Sequence, residues 1–270
     1  MTNHTVRWCL EYYLQEHVER SVVDKNRVKF CIQALCACLG RKKATTLLPK
    51  DCREYEKRRQ RSLVGQGTIR RELSCLSSAL HFCQKDGILP LMPPLYLPKA
   101  PPAKDKWLTR EQADTLLQAA GERAKLFMQI ALATGGRPDA IDALTWTQVD
   151  LVGQKIDFNG PGRERTAKTR PVVPIADKLL PILLDEQARA RTRWVLGHDG
   201  STRKCFDTAR DKACLHWCTR KTLRHTWATW AAQAGVDLWA IAGVLGDTVH
   251  TVEKNYAHHH PEYLRKAVNF

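Results

Sequence analysis

The proline-rich segment from Leu89 to Lys106 constrains the fold of this chain more than any other stretch. Its sequence, LPLMPPLYLPKAPPAKDK, places prolines too densely for a helix or a central strand, because proline lacks the amide hydrogen that both structures use. The segment ends in charged residues, which is typical of an exposed linker. We therefore predict two domains, at residues 1–88 and 107–270, joined by a linker at residues 89–106.

The residues before the linker have the apolar periodicity of helices. Similar spacing occurs at Trp8–His17 and at Val28–Leu39. The clearest stripe lies within Thr68–Gly87 and alternates steps of four and three residues, through Ile69, Leu73, Leu76, Leu80 and Cys83. These patterns predict a small helical bundle without strands.

The residues after the linker predict a mainly α-helical domain with a small antiparallel β-sheet. Thr109 and Gln112 have the spacing of a capping box at a helix start, and Pro138 can begin another helix. Between Gln148 and Ile175, short apolar runs (VDLV, KIDF, PVVPI) are separated by glycine and charged residues, which is typical of short strands. Helical patterns then continue to the region of Tyr256.

The charge balance favours a polyanionic partner. The 270 residues include 43 Lys and Arg against 28 Asp and Glu, a formal net charge of +15. Both halves of the chain share the excess, so both are expected to contact nucleic acid. Charge alone leaves a ribosomal protein or another basic protein open as alternatives.

The ten cysteines predict a reducing compartment, the cytoplasm, because the sequence begins without an apolar signal-type stretch and is large enough to form its own cores. The groups Cys31–Cys38 and Cys214–Cys218 lack paired C-x-x-C spacing, so we predict small core residues and no metal site. No apolar run reaches the roughly 18 residues of a membrane helix, and no membrane partner is predicted.

Arg137 stands between a double glycine and a proline that can begin a helix. A guanidinium group forms two parallel hydrogen bonds to a phosphate and stays charged near neutral pH. The free amides at a helix start also favour an anion. We interpret Arg137 as a phosphate ligand, and the alternative is a structural ion pair with Asp139 or Asp142.

Two longer segments resemble the arginine boxes of the tyrosine recombinases, the phage integrase family. The segment ATGGRPDAIDALTWTQVDL resembles the first box, and KTLRHTWATWAAQAGVDLWAIAGVLGD followed by YAHHHPEYL resembles the second box, its leucine-glycine turn and the nucleophile segment. Between them, AKTRPVVPI resembles the β-hairpin that carries the catalytic lysine. TIRRELSCLSSAL in residues 1–100 resembles part of a helical core-binding domain.

The resemblance implies a site-specific DNA recombinase that cleaves and rejoins strands without metal, ATP or another cofactor. Tyr256 would attack the phosphorus and form a 3′-phosphotyrosine bond, while Arg137 and Arg224 would stabilise the developing charge. Lys168 would protonate the departing 5′ oxygen. Two nearby basic residues remain alternatives for this last role: Lys155 and Arg163.

Two positions depart from the usual family pattern. Lys221 stands where a histidine is common, and a lysine can still donate a hydrogen bond to a phosphate. Asp247 follows the leucine-glycine turn where the family has a histidine or tryptophan donor, and an ionised carboxylate cannot donate. We therefore predict reduced activity. The alternatives are a catalytically impaired, repurposed integrase that only binds DNA, and a topoisomerase-like enzyme that uses the same chemistry.

The resemblance further implies double-stranded DNA as the partner, a homotetramer on two DNA sites, accessory DNA-bending proteins and a location on the nucleoid. Candidate DNA-binding residues of the first domain flank its helices: Lys43, Arg58, Arg59, Arg61, Thr68, Arg70 and Arg71. For each of them, a solvated surface residue is the alternative.

The remaining aromatic and histidine residues predict structural roles. His225 is expected to orient Arg224 or to pack beneath it. The run His258–His260 is expected to be surface imidazoles, because consecutive helical residues point in different directions and cannot share one ion. Helical spacing predicts a core position for three tryptophans: Trp227, Trp230 and Trp239.

Overall fold

A computed structural model of the chain describes residues 4–101, 105–160, 170–260 and 268. The chain divides into two compact units, Met1–Pro102 and Ala103–Phe270. The division falls inside the proline-rich segment. None of the helices in the described ranges combines the length and the apolar character that crossing a membrane requires.

The first unit is a bundle of helices, and its described residues contain no strand. A π-helical turn at Leu14–Val18 continues the first helix into the second. Gly87, two residues after the last helix, has φ of +75° and turns the chain away from the helix axis. The helices are α1 (Val6–Tyr13), α2 (Glu19–Ser21), α3 (Lys25–Leu39), α4 (Pro49–Arg61) and α5 (Gln66–Lys85).

The core of the first unit forms between α1, α3 and α5. The predicted apolar stripe of α5 is buried throughout: Ile69, Leu73, Leu76, Leu80 and Cys83. Of the cysteines predicted to be core residues, Cys31 and Cys218 are buried and Cys36 and Cys38 are half-buried, but Cys214 is exposed, so the prediction is wrong for Cys214. Because α5 is anchored by this stripe, its polar side and α4 present the basic residues of the unit.

The second unit is also mainly helical. The predicted capping box at Thr109 is confirmed, because Thr109 Oγ1 accepts from the Gln112 amide at 3.2 Å and Gln112 Oε1 accepts from the Thr109 amide at 3.1 Å. Its helices are α6 (Arg110–Gln118), α7 (Glu122–Thr134), α8 (Pro138–Asp142), α9 (Leu180–Ala188), α10 (Arg203–Lys212), α11 (Arg220–Gln233), α12 (Leu238–Leu245) and α13 (Val249–Tyr256).

A small sheet interrupts these helices and confirms the predicted fold class. Strands β1 (Val149–Asp150), β2 (Lys155–Asp157) and β3 (Val172–Pro174) form an antiparallel sheet in the order β1-β2-β3. Ile156 of β2 lies opposite Val149 on one side and Val173 on the other, and all three side chains are buried. Phe158 follows β2 and packs so tightly against Gly136 that a Cβ there would lie 3.0 Å from the phenyl ring. The sheet therefore supports the double-glycine turn.

Two apolar clusters hold the second unit together. The larger one surrounds α7 and includes Phe127 and Phe206, whose rings meet edge to face with centroids 6.4 Å apart. The smaller one lies between α11, α12 and α13 and includes Leu245, Val252 and Tyr256. The predicted nucleophile is therefore part of the packing that joins the last three helices.

The prediction that all three tryptophans occupy the core is wrong for one of them. Trp227 and Trp230 are half-buried, but Trp239 is 74% exposed. Helix α11 ends before Gly235, which has φ of +77°, so the helical periodicity does not continue from Trp230 to Trp239. Trp239 instead lies in the first turn of α12, beside its N-cap Asp237.

Candidate active site

The double-glycine turn places Arg137 at the end of α7. Gly135 caps this helix in the left-handed conformation, with φ of +61°. A Cβ at Gly135 would lie 2.8 Å from side-chain atoms of both Trp227 and Leu245. Only glycine fits this backbone and this space. Arg137 then precedes Pro138, the first residue of α8.

Arg224 reaches the same place from α11. Arg224 is only 7% exposed. Its Nη1 donates to the carbonyl of Gly135 at 2.9 Å, and its Nη2 donates to the carbonyl of Leu245 at 2.8 Å. Both carbonyls belong to the C-terminal ends of helices, α7 and α12, where partial negative charge attracts a cation. Two helix ends therefore fix the guanidinium of Arg224.

Arg137 uses the same helix end. Its Nη1 donates to the Leu245 carbonyl at 3.4 Å, and its Nη2 donates to the Gly246 carbonyl at 3.2 Å. Gly246, with φ of +61°, caps α12 in the left-handed conformation and turns its carbonyl toward the arginine. The two arginines, although distant in sequence, thus share one backbone acceptor.

Asp247 bridges the two arginines. Its Oδ1 accepts from Arg137 Nη2 and its Oδ2 accepts from Arg224 Nη2, both at 2.6 Å. The aspartate side chain keeps 28% of its surface exposed. One carboxylate, with two oxygens and one negative charge, therefore accepts hydrogen bonds from both guanidinium groups, whose donors converge on it.

The aspartates that offered an alternative for Arg137 have another partner in α11. Arg220 forms an ion pair with Asp142 and lies 3.8 Å from Asp139. Asp142 is buried and also accepts from the hydroxyl of Thr202 at 2.7 Å. This network fixes α8 against α11 and so helps to hold Arg137 in place.

Tyr256 is the last residue of α13 and is 6% exposed. Its phenolic oxygen lies 2.7 Å from Nδ1 of His225, the residue after Arg224. Burial raises the pKa of the Tyr256 phenol to about 12. Burial also lowers the pKa of His225, and the positive charges of Lys221 and Arg224 lower it further. Both partners are therefore uncharged near neutral pH.

The structure describes some of the candidate basic residues for catalysis and not others. Lys221 is exposed in the first turn of α11, one turn before Arg224 and His225 and on the same helical face. Lys168 and its alternative Arg163 lie outside the described residues. Lys155, the other alternative, forms an ion pair at 3.5 Å with Asp150, its register partner in the β1-β2 pair.

Two residues at the site carried no distinct signal in the sequence. His225 was expected to orient or support Arg224, but it contacts Tyr256. Arg170 lines a small cavity of about 10 Å³ whose wall also includes Arg137 and Arg224. The segment AKTRPVVPI, whose resemblance to the catalytic hairpin identified Lys168, also contains Arg170, and this was the available signal for Arg170.

The candidate DNA-binding residues of the first unit fall into two groups. Arg59 and Arg70 have partners within the unit: Arg59 Nη2 lies 2.6 Å from Oε1 of Glu72, which is 3% exposed, and Arg70 donates to the Pro98 carbonyl. The other five side chains belong to exposed residues on α4, α5 and the loop before α4: Lys43, Arg58, Arg61, Thr68 and Arg71.

The expectation of surface imidazoles after Tyr256 is wrong for His259, whose side chain is 9% exposed. Its Nε2 lies 3.0 Å from Oδ1 of Asp105, and Nε2 of His258 lies 3.0 Å from Oδ2 of the same carboxylate. The helical geometry behind the expectation ends at Tyr256, since a 3₁₀ turn at Ala257–His259 follows. The two rings therefore converge on one partner.

The sequence profile of the phage integrase family matches residues 106–262. The integrase of Salmonella phage P22 is 24% identical over 211 residues, which cover 71% of this chain and 54% of that protein. Tyrosine recombinase XerC of Chlamydia muridarum is 28% identical over 211 residues, covering 71% of this chain and 66% of that protein. The chain thus spans about half of the phage protein's length and somewhat under two-thirds of this XerC.

Two solved structures have the same fold. The Tn1549 transposon integrase, in complex with circular intermediate DNA, superposes with a TM-score of 0.81 at 15% identity, over 99% of this chain and all (100%) of that one. A λ integrase dimer bound to a COC′ core site superposes with a TM-score of 0.73 at 15% identity, over 93% of this chain and 77% of that one. At these identities, the similarity establishes the architecture.

Proposed function

The chain belongs to the phage integrase family, and from this premise we propose that it is a tyrosine-type site-specific DNA recombinase. The observation that carries the proposal is the convergence of Arg137 and Arg224 on one carboxylate, that of Asp247. Converging guanidinium donors are what a phosphodiester requires. His225 lies on α11 beside Arg224, and its partner Tyr256 lies on α13, which packs against α11.

We propose that the scissile phosphate replaces the carboxylate of Asp247. A phosphodiester also presents two free oxygens that share one negative charge, so it can accept the same hydrogen bonds from Arg137 and Arg224. The partial exposure of Asp247 allows its carboxylate to regain water as it leaves. The resting site is thus closed by an internal anion, and DNA must compete with it.

Tyr256 then attacks the phosphorus. The phenol donates its hydrogen bond to Nδ1 of His225, whose own hydrogen is on Nε2. Because burial disfavours a free phenolate, the proton passes to His225 as the new oxygen–phosphorus bond forms rather than beforehand. Arg137 and Arg224 stabilise the additional charge on the pentacoordinate phosphorus; removal of one such donor costs about 100- to 1,000-fold in rate.

The bond from phosphorus to the 5′ oxygen breaks in the same displacement. Lys168 gives the leaving oxygen a proton, and Lys221 adds positive charge beside the phosphate. The products are a 3′-phosphotyrosine and a free 5′ hydroxyl. Attack by a 5′ hydroxyl on that phosphotyrosine reverses the step and rejoins a strand, so neither ATP nor another cofactor enters the reaction.

The wider assembly follows from the same proposal. Residues 1–88 act as a core-binding domain, the segment 89–106 as a linker and residues 107–270 as the catalytic domain. The exposed basic residues of α4 and α5 contact backbone phosphates of double-stranded DNA, which makes affinity strongly salt-dependent. Exchange between two DNA sites requires four active sites, so a homotetramer is the functional form, with DNA-bending proteins as accessory factors.

A duplex nicked near the target site tests the reaction. Cleavage there releases a short fragment that diffuses away, so the phosphotyrosine cannot be reversed and a covalent adduct accumulates. We expect an adduct with the unaltered protein and none with Tyr256→Phe, while both bind the duplex. If the unaltered protein binds the duplex but never forms the adduct, the recombinase proposal is wrong.

A second function has one observation in its favour. Asp247 already forms ion pairs with both arginines, which suits a repurposed integrase that binds DNA without cutting it. In that case the Asp247→His variant, which removes the carboxylate and restores a donor, would form the adduct that the unaltered protein does not form. Comparison of adduct formation by the unaltered protein and by Asp247→His therefore distinguishes an impaired enzyme from an active one.

A further inference from the structure

Three side chains of metal-ligand type meet directly after the nucleophile segment. The two oxygens of Asp105 lie 3.0 Å from Nε2 of His258 and 3.0 Å from Nε2 of His259. One ligand atom from each residue lies within 4.8 Å of the other two. In the described part of the chain, this is the one group of three or more His, Cys, Asp or Glu residues with such spacing.

The local packing arranges these groups in advance. Trp107 meets the ring of His259 edge to face, with centroids 4.4 Å apart, and the rings of His258 and His259 have centroids 4.0 Å apart. His259 is therefore held from one side by an aromatic ring, while Asp105 and His258 keep about half of their side-chain surface exposed, at 49% and 52%. An ion can reach the group from solvent.

The donor set selects a class of ion. Two imidazole nitrogens and one carboxylate oxygen are a common zinc set, and they suit Mg²⁺ and Ca²⁺ poorly because those ions prefer oxygen. A tetrahedral ion with bonds of about 2.0–2.1 Å places its ligand atoms about 3.3 Å apart. Each imidazole nitrogen lies 3.0 Å from one of the two Asp105 oxygens, and the three ligand atoms lie within 4.8 Å of one another, so side-chain rotations can bring them to this spacing.

We propose that Asp105, His258 and His259 bind one zinc-class divalent ion, with water as the fourth ligand. This site differs from the metal-free site of strand cleavage, and the sequence predicted no metal here. The ion connects the start of the catalytic unit to residues two and three positions beyond Tyr256. The ion therefore holds the nucleophile segment on its own catalytic unit, and this consequence rests on the proposed function.

Cobalt titration of the whole 270-residue chain, without a histidine tag, tests the site directly. Co²⁺ at a tetrahedral zinc site has strong visible absorption, and thiolate ligands add an intense near-ultraviolet band that imidazole and carboxylate ligands lack. This second band matters because the chain contains ten cysteines. We expect one Co²⁺ per chain, visible absorption without the thiolate band, and displacement of Co²⁺ by Zn²⁺.

Substitutions identify the ligands. Loss of an outer hydrogen-bond partner of a metal ligand typically costs about 10- to 100-fold in affinity, so Asp105→Asn and His258→Ala should each cost at least that much. Both side chains are half-exposed, and circular dichroism will show that the variants remain folded. His260→Ala, an adjacent histidine outside the group, is the matched control and should bind Co²⁺ as the unaltered protein does.

Metal binding is measured without DNA, so it is independent of strand cleavage. Tyr256→Phe should bind Co²⁺ normally even though it forms no adduct. A thiolate band, or Co²⁺ binding that is unchanged in the Asp105→Asn, His258→Ala double variant, would overturn the proposed site. Absence of saturable binding in the unaltered protein would overturn it as well.

Discussion

Nδ1 of His225 lies 2.7 Å from the phenolic oxygen of Tyr256. His225 follows Arg224 directly, so one turn of α11 carries the proposed phosphate ligand and the hydrogen-bond partner of the proposed nucleophile. The lowered pKa of His225 keeps its imidazole uncharged and able to accept a proton. Movement of this turn would therefore change the phosphate contact and the nucleophile together.

Replacement of His225 tests its role as proton acceptor. We expect His225→Phe to slow adduct formation on the nicked duplex by about 100- to 10,000-fold, the usual contribution of a positioned acid or base. DNA affinity should stay unchanged, because His225 does not contact the phosphate in the proposed mechanism. Single-turnover adduct formation and a filter-binding isotherm measure the two quantities. An unchanged cleavage rate would remove His225 from the reaction.

Replacement of Asp247 tests the internal anion. We expect Asp247→Asn to bind DNA more tightly and to cleave it faster, because the guanidinium groups lose their competing charge. Asp247→His should cleave faster still, since it adds a hydrogen-bond donor for the phosphate. The same variants should lose roughly 1.5–3 kcal/mol of unfolding free energy, the range for hydrogen bonds to charged groups.

Urea denaturation measures this loss, and single-turnover cleavage measures the gain. Tyr256→Phe with Asp247→Asn serves as the control that reports DNA affinity without chemistry. Cleavage by Asp247→His at or below the unaltered rate would contradict the view that the carboxylate blocks the site.

A sulfur-containing substrate tests Lys168. A bridging 5′ phosphorothiolate leaves as a thiolate, whose conjugate acid has a pKa of about 8.5 and which needs no proton. Lys168→Ala should therefore cleave normal DNA about 100- to 10,000-fold more slowly but cleave the sulfur substrate at nearly the unaltered rate. Lys155→Ala and Arg163→Ala are matched controls, and rescue of either one instead would reassign the acid. Arg137→Ala should not be rescued.

The salt dependence of binding tests α5. Arg71 is exposed, whereas Arg70 already donates to the Pro98 carbonyl. We expect Arg71→Ala to reduce the slope of log affinity against log salt by about 0.9, the effect of one lost phosphate contact, and Arg70→Ala to change it less. Binding isotherms at several salt concentrations give the slope. Equal, unaltered slopes in both variants would exclude this face of α5 from the interface.

Arg59 should matter for stability. Glu72 is buried, and its carboxylate accepts from Arg59 and from the hydroxyl of Tyr55 at 2.7 Å. Arg59→Ala would leave this buried charge without its cation, at a cost of about 3–5 kcal/mol in unfolding free energy. The neighbouring exposed residue provides the control, because Arg58→Ala should change stability by less than about 0.5 kcal/mol. Urea denaturation of both variants decides between the two roles.

Local signals in the sequence predicted much of the fold. The stripe on α5, the capping box at Thr109 and the short apolar run KIDF around Ile156 each depend on residues within a few positions, so the sequence alone indicated each of them. Helix α4 carries a weaker signal, because its sequence PKDCREYEKRRQR is mostly charged and buries few apolar side chains. The glycines at 135 and 136 likewise identified the turn that presents Arg137.

The contacts that organise the site could not be predicted in the same way. The bridge through Asp247 requires the ends of α7 and α12 to meet beside α11, which is a property of tertiary packing. The sequence showed only that Asp247 lacks a donor. The contact between His225 and Tyr256 likewise depends on how α13 packs against α11 in the smaller apolar cluster.

The carbonyl oxygen of Leu245 accepts hydrogen bonds from both arginines. Because this acceptor belongs to the main chain, no side-chain replacement can delete it. Both guanidinium groups therefore keep this hydrogen-bond acceptor when a neighbouring side chain is substituted. Loss of turnover through a single acidic residue would therefore be reversible by a single codon change. A lineage that has stopped cutting DNA in this way keeps the framework from which cutting can return.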